Sequence, residues 1–183
     1  LNAARPPTGD VLVRKAIAAA IDRERLVRQV LRPPWKVAAY RIIPPAVLPP
    51  EERDAAPGAP FDPEEAPRLL AEAGYGPENP LPPVELWYNR EGDNQAIFEA
   101  AAAMLEEAGI PVRLVSSAWD VYAAELEACR APAGGAGCTY NLYRSGWIVD
   151  YPDASSLLRI FSPGSPRQYL GWQSETYDGL LEA

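Results

Sequence analysis

The sequence predicts an α/β domain with a largely parallel sheet flanked by helices. Short apolar runs at 84–88, 111–115 and 140–145 alternate with longer segments whose apolar residues recur at helical spacing. The first two runs are joined through the helical segment 94–108. A crossover of that length obliges its two strands to lie parallel, with a right-handed connection. At 183 residues, 48% apolar and 23% charged, the chain is long enough to bury one core and fits one domain, 1–183.

Each element has a local cause. Asp10 caps a first helix whose apolar residues are Val13, Ile17, Ala20 and Ile21. Asp22 caps a second, with Leu26, Val27, Val30 and Leu31 as its stripe and Pro33-Pro34 as its stop. Lys36 to Ile43 reads as a strand ended by Pro44-Pro45, and 44–61 as a Pro/Ala-rich surface loop. Asp62-Pro63-Glu64-Glu65 opens the next helix: Asp62 as cap, Pro63 at the first helical position, Glu65 completing a capping box. Ala66, Leu69, Leu70 and Ala73 form its buried face and Gly74 ends it.

Val84 to Tyr88 alternates as a strand, followed by a turn at Gly92. Segment 94–108 is a helix with Ile97, Ala101, Met104, Leu105 and Ala108 on one face and Gly109 at its end. Pro111 to Val115 is a strand, Ser117 to Asp120 a capping box for a helix reaching about Cys129, and Tyr140 to Ser145 a third strand. Ser155 to Phe161 reads as a short helix, and Ser174 starts a last one over 175–183. Trp87, Trp119 and Trp172 are expected to be packing residues, while Trp35 is ambiguous.

Composition excludes several chemistries. With no His, neither Ser-His-Asp nor Cys-His nucleophile activation is available, and His-ligated zinc is ruled out. Two Cys cannot close a structural zinc site, and no pattern implies a cofactor. A net charge of −8 argues against nucleic acid as a partner, though not against a small cationic or zwitterionic ligand. No apolar run is long enough to span a bilayer. The chain opens with Leu and lacks a signal pattern, so it reads as a piece excised from a longer protein.

Ligands of parallel sheets sit at the carboxyl ends of the strands, which directs attention to the segments after Tyr88 and after Ser145. Segment 143–153, Tyr-Arg-Ser-Gly-Trp-Ile-Val-Asp-Tyr-Pro-Asp, gathers three useful groups. Trp147 offers a flat apolar wall, Asp150 an anion for an ammonium, and Arg144 a fork for a carboxylate. A polar strand-end loop whose charges pair with each other fits the same residues. Asp150 and Asp153 are also a conceivable catalytic pair, but Asp153 suits a helix N-cap and no other reaction apparatus is present. Regular spacing of calcium ligands is missing. The turn Tyr88-Asn89-Arg90-Glu91-Gly92-Asp93-Asn94 could face a ligand or be a turn capped by Asp93 or Asn94. Cys129 and Cys138 flank a Gly-rich stretch. A structural disulfide is the favoured reading, implying an oxidising, extracytoplasmic compartment; buried free thiols are the other, and Cys-X-X-Cys redox spacing is lacking.

These motifs in this order resemble the family 5 extracellular solute-binding proteins, the oligopeptide- and dipeptide-binding receptors of ABC importers. The resemblance spans nearly the whole chain. It rests on residues 10–16 running into Ala20-Ile21-Asp22-Arg23-Glu24, on 61–66 through 69–75, on 143–153 and on Tyr177-Asp178-Gly179-Leu180-Leu181. It implies one lobe of a two-lobed periplasmic-binding-protein-like fold, with ligand trapped in the cleft against an absent first lobe that closes on a hinge. It implies a monomeric, non-enzymatic lobe whose parent receptor, extracytoplasmic and sometimes lipid-anchored, delivers cargo to an ABC permease in the membrane. By motif position, Asp150 would bind a peptide α-ammonium, Trp147 would pack near the peptide backbone, and Arg144 would line the pocket. Asn94 lies near a position where some relatives carry a pocket His; Tyr88 and Asn89 are adjacent candidates. Because the family also carries nickel chelates and sugars, a peptide is the leading ligand and those are alternatives. A hydrolase using the two Asp ranks below them.

Overall fold

The computed structural model describes residues 1–32, 36–53, 58–130, 138–165 and 169–182, without the side chains of Glu52 and Arg130. Helix α1 spans Val11–Ala20, and Asp10 accepts from Leu12 N. Helix α2, Arg23–Arg25, is capped by Asp22 and continues as a π-helix over Leu26–Leu31. Then come a short helix α3 (Pro50–Arg53), α4 (Glu65–Glu72), strand β1 (Val84–Asn89), α5 (Asn94–Glu107) and β2 (Val112–Ser117). Helix α6 (Trp119–Arg130), strand β3 (Leu142–Tyr143), α7 (Ala154–Leu158) and α8 (Glu175–Glu182) complete the order.

The sheet has the order β2-β1-β3, and both pairings are parallel. Strand alternation sends the odd and even residues of β1 to opposite faces. Val84 and Leu86 join the core with Val13 and Ile17 of α1, Leu69 and Leu70 of α4, and Leu105 of α5. Trp87 packs on the other face with Tyr122 and Leu126 of α6, Tyr140, Tyr143 and Tyr169. Gly74 and Gly109 end α4 and α5 with φ of +86° and +80°, a conformation that disfavours a side chain. The α2–π segment runs antiparallel along α5. Arg25 pairs with Glu107 at one end of α5, and Lys36 with Asp93 at the other.

Several expectations are corrected. Segment 36–43 forms no strand and joins neither outer edge of the sheet, β2 or β3. Side chains hold it instead, Lys36 on Asp93 and the Tyr40 ring beneath the Arg23 guanidinium. Loop 44–61 contains a 3-10 turn, Pro45–Val47, and α3. Asp62 accepts from the amides of Glu64 and Glu65, but Glu65 completes no capping box; its carboxylate pairs with Arg68. Strand 140–145 shrinks to two residues, because the Asn141 side chain enters the ladder itself and accepts from Glu85 N. Trp119 is 49% exposed rather than a packing residue. The expectations for Pro33-Pro34, Trp35, the Gly-rich stretch 131–137 and Ala183 lie outside the described residues.

Candidate functional site

Because all three strands are parallel, their carboxyl ends share one end of the sheet. Three segments leave from it: 89–94 after β1, 117–119 after β2, and 144–153 after β3. Arg90 N donates to Ser117 O and Arg144 N to Trp87 O, closing the two ladders. Between the ends of β1 and β3 stands the Tyr122 hydroxyl, which donates to Arg144 O and lies 3.5 Å from Trp87 O. Burial pushes the Tyr122 phenol far above its ordinary value, so it stays a neutral donor.

The 144–153 segment is the open part. Asp150 is exposed; its amide donates to Ser156 Oγ, and its carboxylate has no hydrogen bond or ion pair among the described residues. Trp147 and Asp150 line one small cavity of about 190 Å³ with Tyr151, Ser156, Arg159 and Ile160. The Arg144 guanidinium folds over Gly146 and makes no ion pair among the described residues. Ile148 beside them is 91% exposed. Among the described residues, the charges of this loop do not pair with each other. A carboxylate without an ion pair among the described residues, a guanidinium and an indole stand at the strand end, a set able to take a zwitterionic ligand. Asp153 is different: it caps α7 by accepting from Ser155 N, and Ser155 holds its carboxyl below the ordinary value. A carboxylate committed to a helix end gives no support to a catalytic pair.

The 88–94 turn is bonded to itself. The Tyr88 ring is buried and stacks on Phe98 at 4.8 Å. Asn89, also buried, donates to Glu91 Oε2 and accepts from Asn94 Nδ2. Asp93 occupies the N-cap position of α5 without a capping bond and pairs with Lys36. Glu91 is the residue that local reasoning missed. Its Oε1 accepts from Trp119 N, so the first turn of α6 is capped from the β1–α5 turn and not by Ser117. Asn89 and the Trp119 amide hold the Glu91 carboxyl below its ordinary value. Only the chain path between β1 and β2 brings 91 to 119, so sequence spacing carries no signal for it.

Cys129 and Cys138 form a disulfide with Cα atoms 5.4 Å apart. Below it, the buried Glu85 carboxylate accepts from Trp87 Nε1, Thr139 Oγ1 and Arg113 Nη2, joining β1 to β2 and to the approach of β3. A larger cavity, about 720 Å³, lies at the opposite end of the sheet, where Pro67, Leu70, Tyr75, Leu81 and Pro111 make it mostly apolar. It shares no residue with the strand-end groups. No described helix is long and apolar enough to cross a membrane.

A family model described as bacterial extracellular solute-binding proteins, family 5, matches residues 1–168. The chain is 28% identical over 93% of its length to the dipeptide-binding protein DppE of Bacillus subtilis, covering 31% of that protein. It is 28% identical over 99% of its length to the periplasmic oligopeptide-binding protein OppA of Escherichia coli, covering 32%. Among solved structures, Haemophilus influenzae OppA in complex with RPPGFSPFR superimposes with a TM-score of 0.76 at 28% identity, over 98% of this chain and 34% of that one. The Borrelia burgdorferi OppAIV structure gives 0.79 at 28% identity, over all of this chain and 34% of that one. The chain spans about a third of the length of the relatives it matches.

Proposed function

This chain belongs to the bacterial extracellular solute-binding proteins of family 5, and from that premise we propose that it is one lobe of a two-lobed receptor that captures peptides outside the cytoplasm for an ABC importer. The ligand lies between the strand ends of this lobe and the facing lobe. The carrying observation is the exposed Asp150 carboxylate, without an ion pair among the described residues, beside Trp147 at the carboxyl end of the sheet. A peptide amino terminus buried between lobes needs an anion, and Asp150 supplies it through a charge-assisted bond. Trp147 walls the peptide backbone and Arg144 meets a carboxylate. Asn94 stands at the rim, while Tyr88 and Asn89 support the turn from beneath. Relatives named for dipeptides, oligopeptides and murein peptides support a peptide over a nickel chelate or a sugar.

Thermal shift of the two-lobed receptor tests this, with free-amine peptides, N-acetylated peptides, nickel chelates and oligosaccharides in parallel. Ligand at about 100 times its dissociation constant adds roughly 2.7 kcal/mol. Stabilisation by free-amine peptides, lost on N-acetylation and in Asp150→Asn, is expected. Stabilisation by sugars or chelates alone overturns the ammonium role of Asp150. The 183-residue chain by itself, lacking the facing wall, is expected to bind peptide weakly or undetectably.

A further inference from the structure

Strand β3 pairs with β1 over only two positions, Leu86 with Leu142 and Trp87 with Tyr143. So short a strand is a weak foundation for the loop that leaves it, and local opening is easiest where few backbone bonds hold. The surrounding structure compensates from α6. Tyr122, Leu126 and Cys129 fall at i, i+4 and i+7 and share one helical face. That face holds the β3 segment at both ends. After the strand, the Tyr122 hydroxyl donates to Arg144 O. Before the strand, Cys129 is covalently joined to Cys138. Between them, Leu126 packs in the cluster that contains Tyr140 and Tyr169, and Tyr140 lies 5.4 Å from Trp87 and 5.1 Å from Tyr143. Helix α6 is itself tied to the β1–α5 turn through Glu91 and Trp119 N.

We propose that this face of α6 is a clamp that positions the 144–150 loop, and that the Cys129–Cys138 disulfide makes ligand affinity depend on the redox state of the receptor. The affinity half rests on the ligand role proposed for that loop; the positioning half does not. An external dithiol reduces the bond. Its thiolate attacks one cysteine sulfur to form a mixed disulfide, and its second thiolate displaces that cysteine. Two electrons and two protons end on Cys129 and Cys138, and the dithiol leaves oxidised. The reduced lobe keeps its α1–α4–α5 core, which contains neither cysteine. It loses the covalent tie before β3, leaving hydrogen bonds along that segment, among them Arg5 Nη1 to Cys138 O, Asn2 N to Asn141 O and Tyr122 to Arg144 O, and a two-residue ladder.

The experiment compares the oxidised chain, the chain in excess dithiothreitol, Cys129→Ser/Cys138→Ser and Tyr122→Phe by hydrogen exchange. The reporters are the amides of Arg144 and Asp150, bonded to Trp87 O and Ser156 Oγ. Amides 101–105 in α5 serve as the internal reference. Reduction and the double variant are expected to speed exchange at the reporters by about tenfold or more while leaving 101–105 unchanged, and reoxidation restores protection. Tyr122→Phe produces the same local pattern with the disulfide intact. Unchanged exchange at the reporters, or an equal rise at 101–105, overturns the clamp and leaves the disulfide a global staple. In the two-lobed receptor, the Kd for a free-amine tripeptide is expected to rise about five- to tenfold on reduction. If it does not while local exchange rises, the redox-affinity link fails. If Asp150→Asn leaves Kd unaltered, the ligand reading fails, and the exchange measurement still decides the clamp.

Discussion

Replacing Glu85 removes the acceptor on which three donors converge. The carboxylate is buried, while Arg113 is 66% exposed and Thr139 also reaches water. The Arg113 pair therefore contributes about 0.5 kcal/mol, as exposed pairs do. The Trp87 and Thr139 bonds to a charged acceptor contribute about 1.5 kcal/mol each, the low end for such bonds. Glu85→Ala should then cost about 3.5 kcal/mol, a fall in Tm of roughly 7–14 °C for a chain of this size. Glu85→Gln keeps one carbonyl acceptor and should cost about half as much. The pH dependence separates charge from packing. Burial pushes the Glu85 carboxyl up, but hydrogen bonds from Thr139, Trp87 and Arg113 and the Arg113 charge outweigh it and hold it below 4.5. Folding thus favours the ionised form. The contribution is fully present above the unfolded value of 4.5 and is lost as pH falls through the lower folded value. Urea unfolding of wild type and Glu85→Gln at pH 7, 5, 4 and 3 is the assay, and the gap between them should narrow below 4.5. A gap constant from pH 7 to 3 would falsify the assignment to an ionised carboxylate.

Other consequences are simpler to measure. Leu105 is fully buried in the core between α5 and β1, so Leu105→Ala should cost about 2–5 kcal/mol in urea unfolding; less than 1 would show that the α5–sheet interface is not packed. A Cβ on either Gly109 or Gly76 meets open space, but only Gly109 sits at positive φ. Gly109→Ala should therefore cost roughly 1–2 kcal/mol and Gly76→Ala close to nothing; equal effects would refute the backbone explanation. The denatured, non-reduced chain should show no titratable thiol. Two reactive thiols before reduction would contradict the pairing.

Local chemistry made much of this molecule readable from its residues alone. Asp10, Asp22 and Asp153 cap the helices they precede, and Gly74 and Gly109 end theirs, because capping involves groups a few residues apart. The parallel β1–β2 pair followed from the length of the helix joining them. The cysteine pair and the aromatic, charged segment 143–153 stood out by composition. Distant partners decided the rest. Segment 36–43 has strand-like residues but is held by the remote side chains of Asp93 and Arg23 and not by a strand, and β3 is cut to two residues by the side chain of Asn141. Tyr88 and Asn89 turned inward because Phe98, Glu91 and Asn94 meet them there. Asp150 makes no ion pair among the described residues, and Glu91 became the cap of a helix that begins 28 residues later. A cap or a turn is set by atoms within a few residues of each other. A strand partner, a buried carboxylate and an unpaired one depend on which remote segments the closed core brings to the same place.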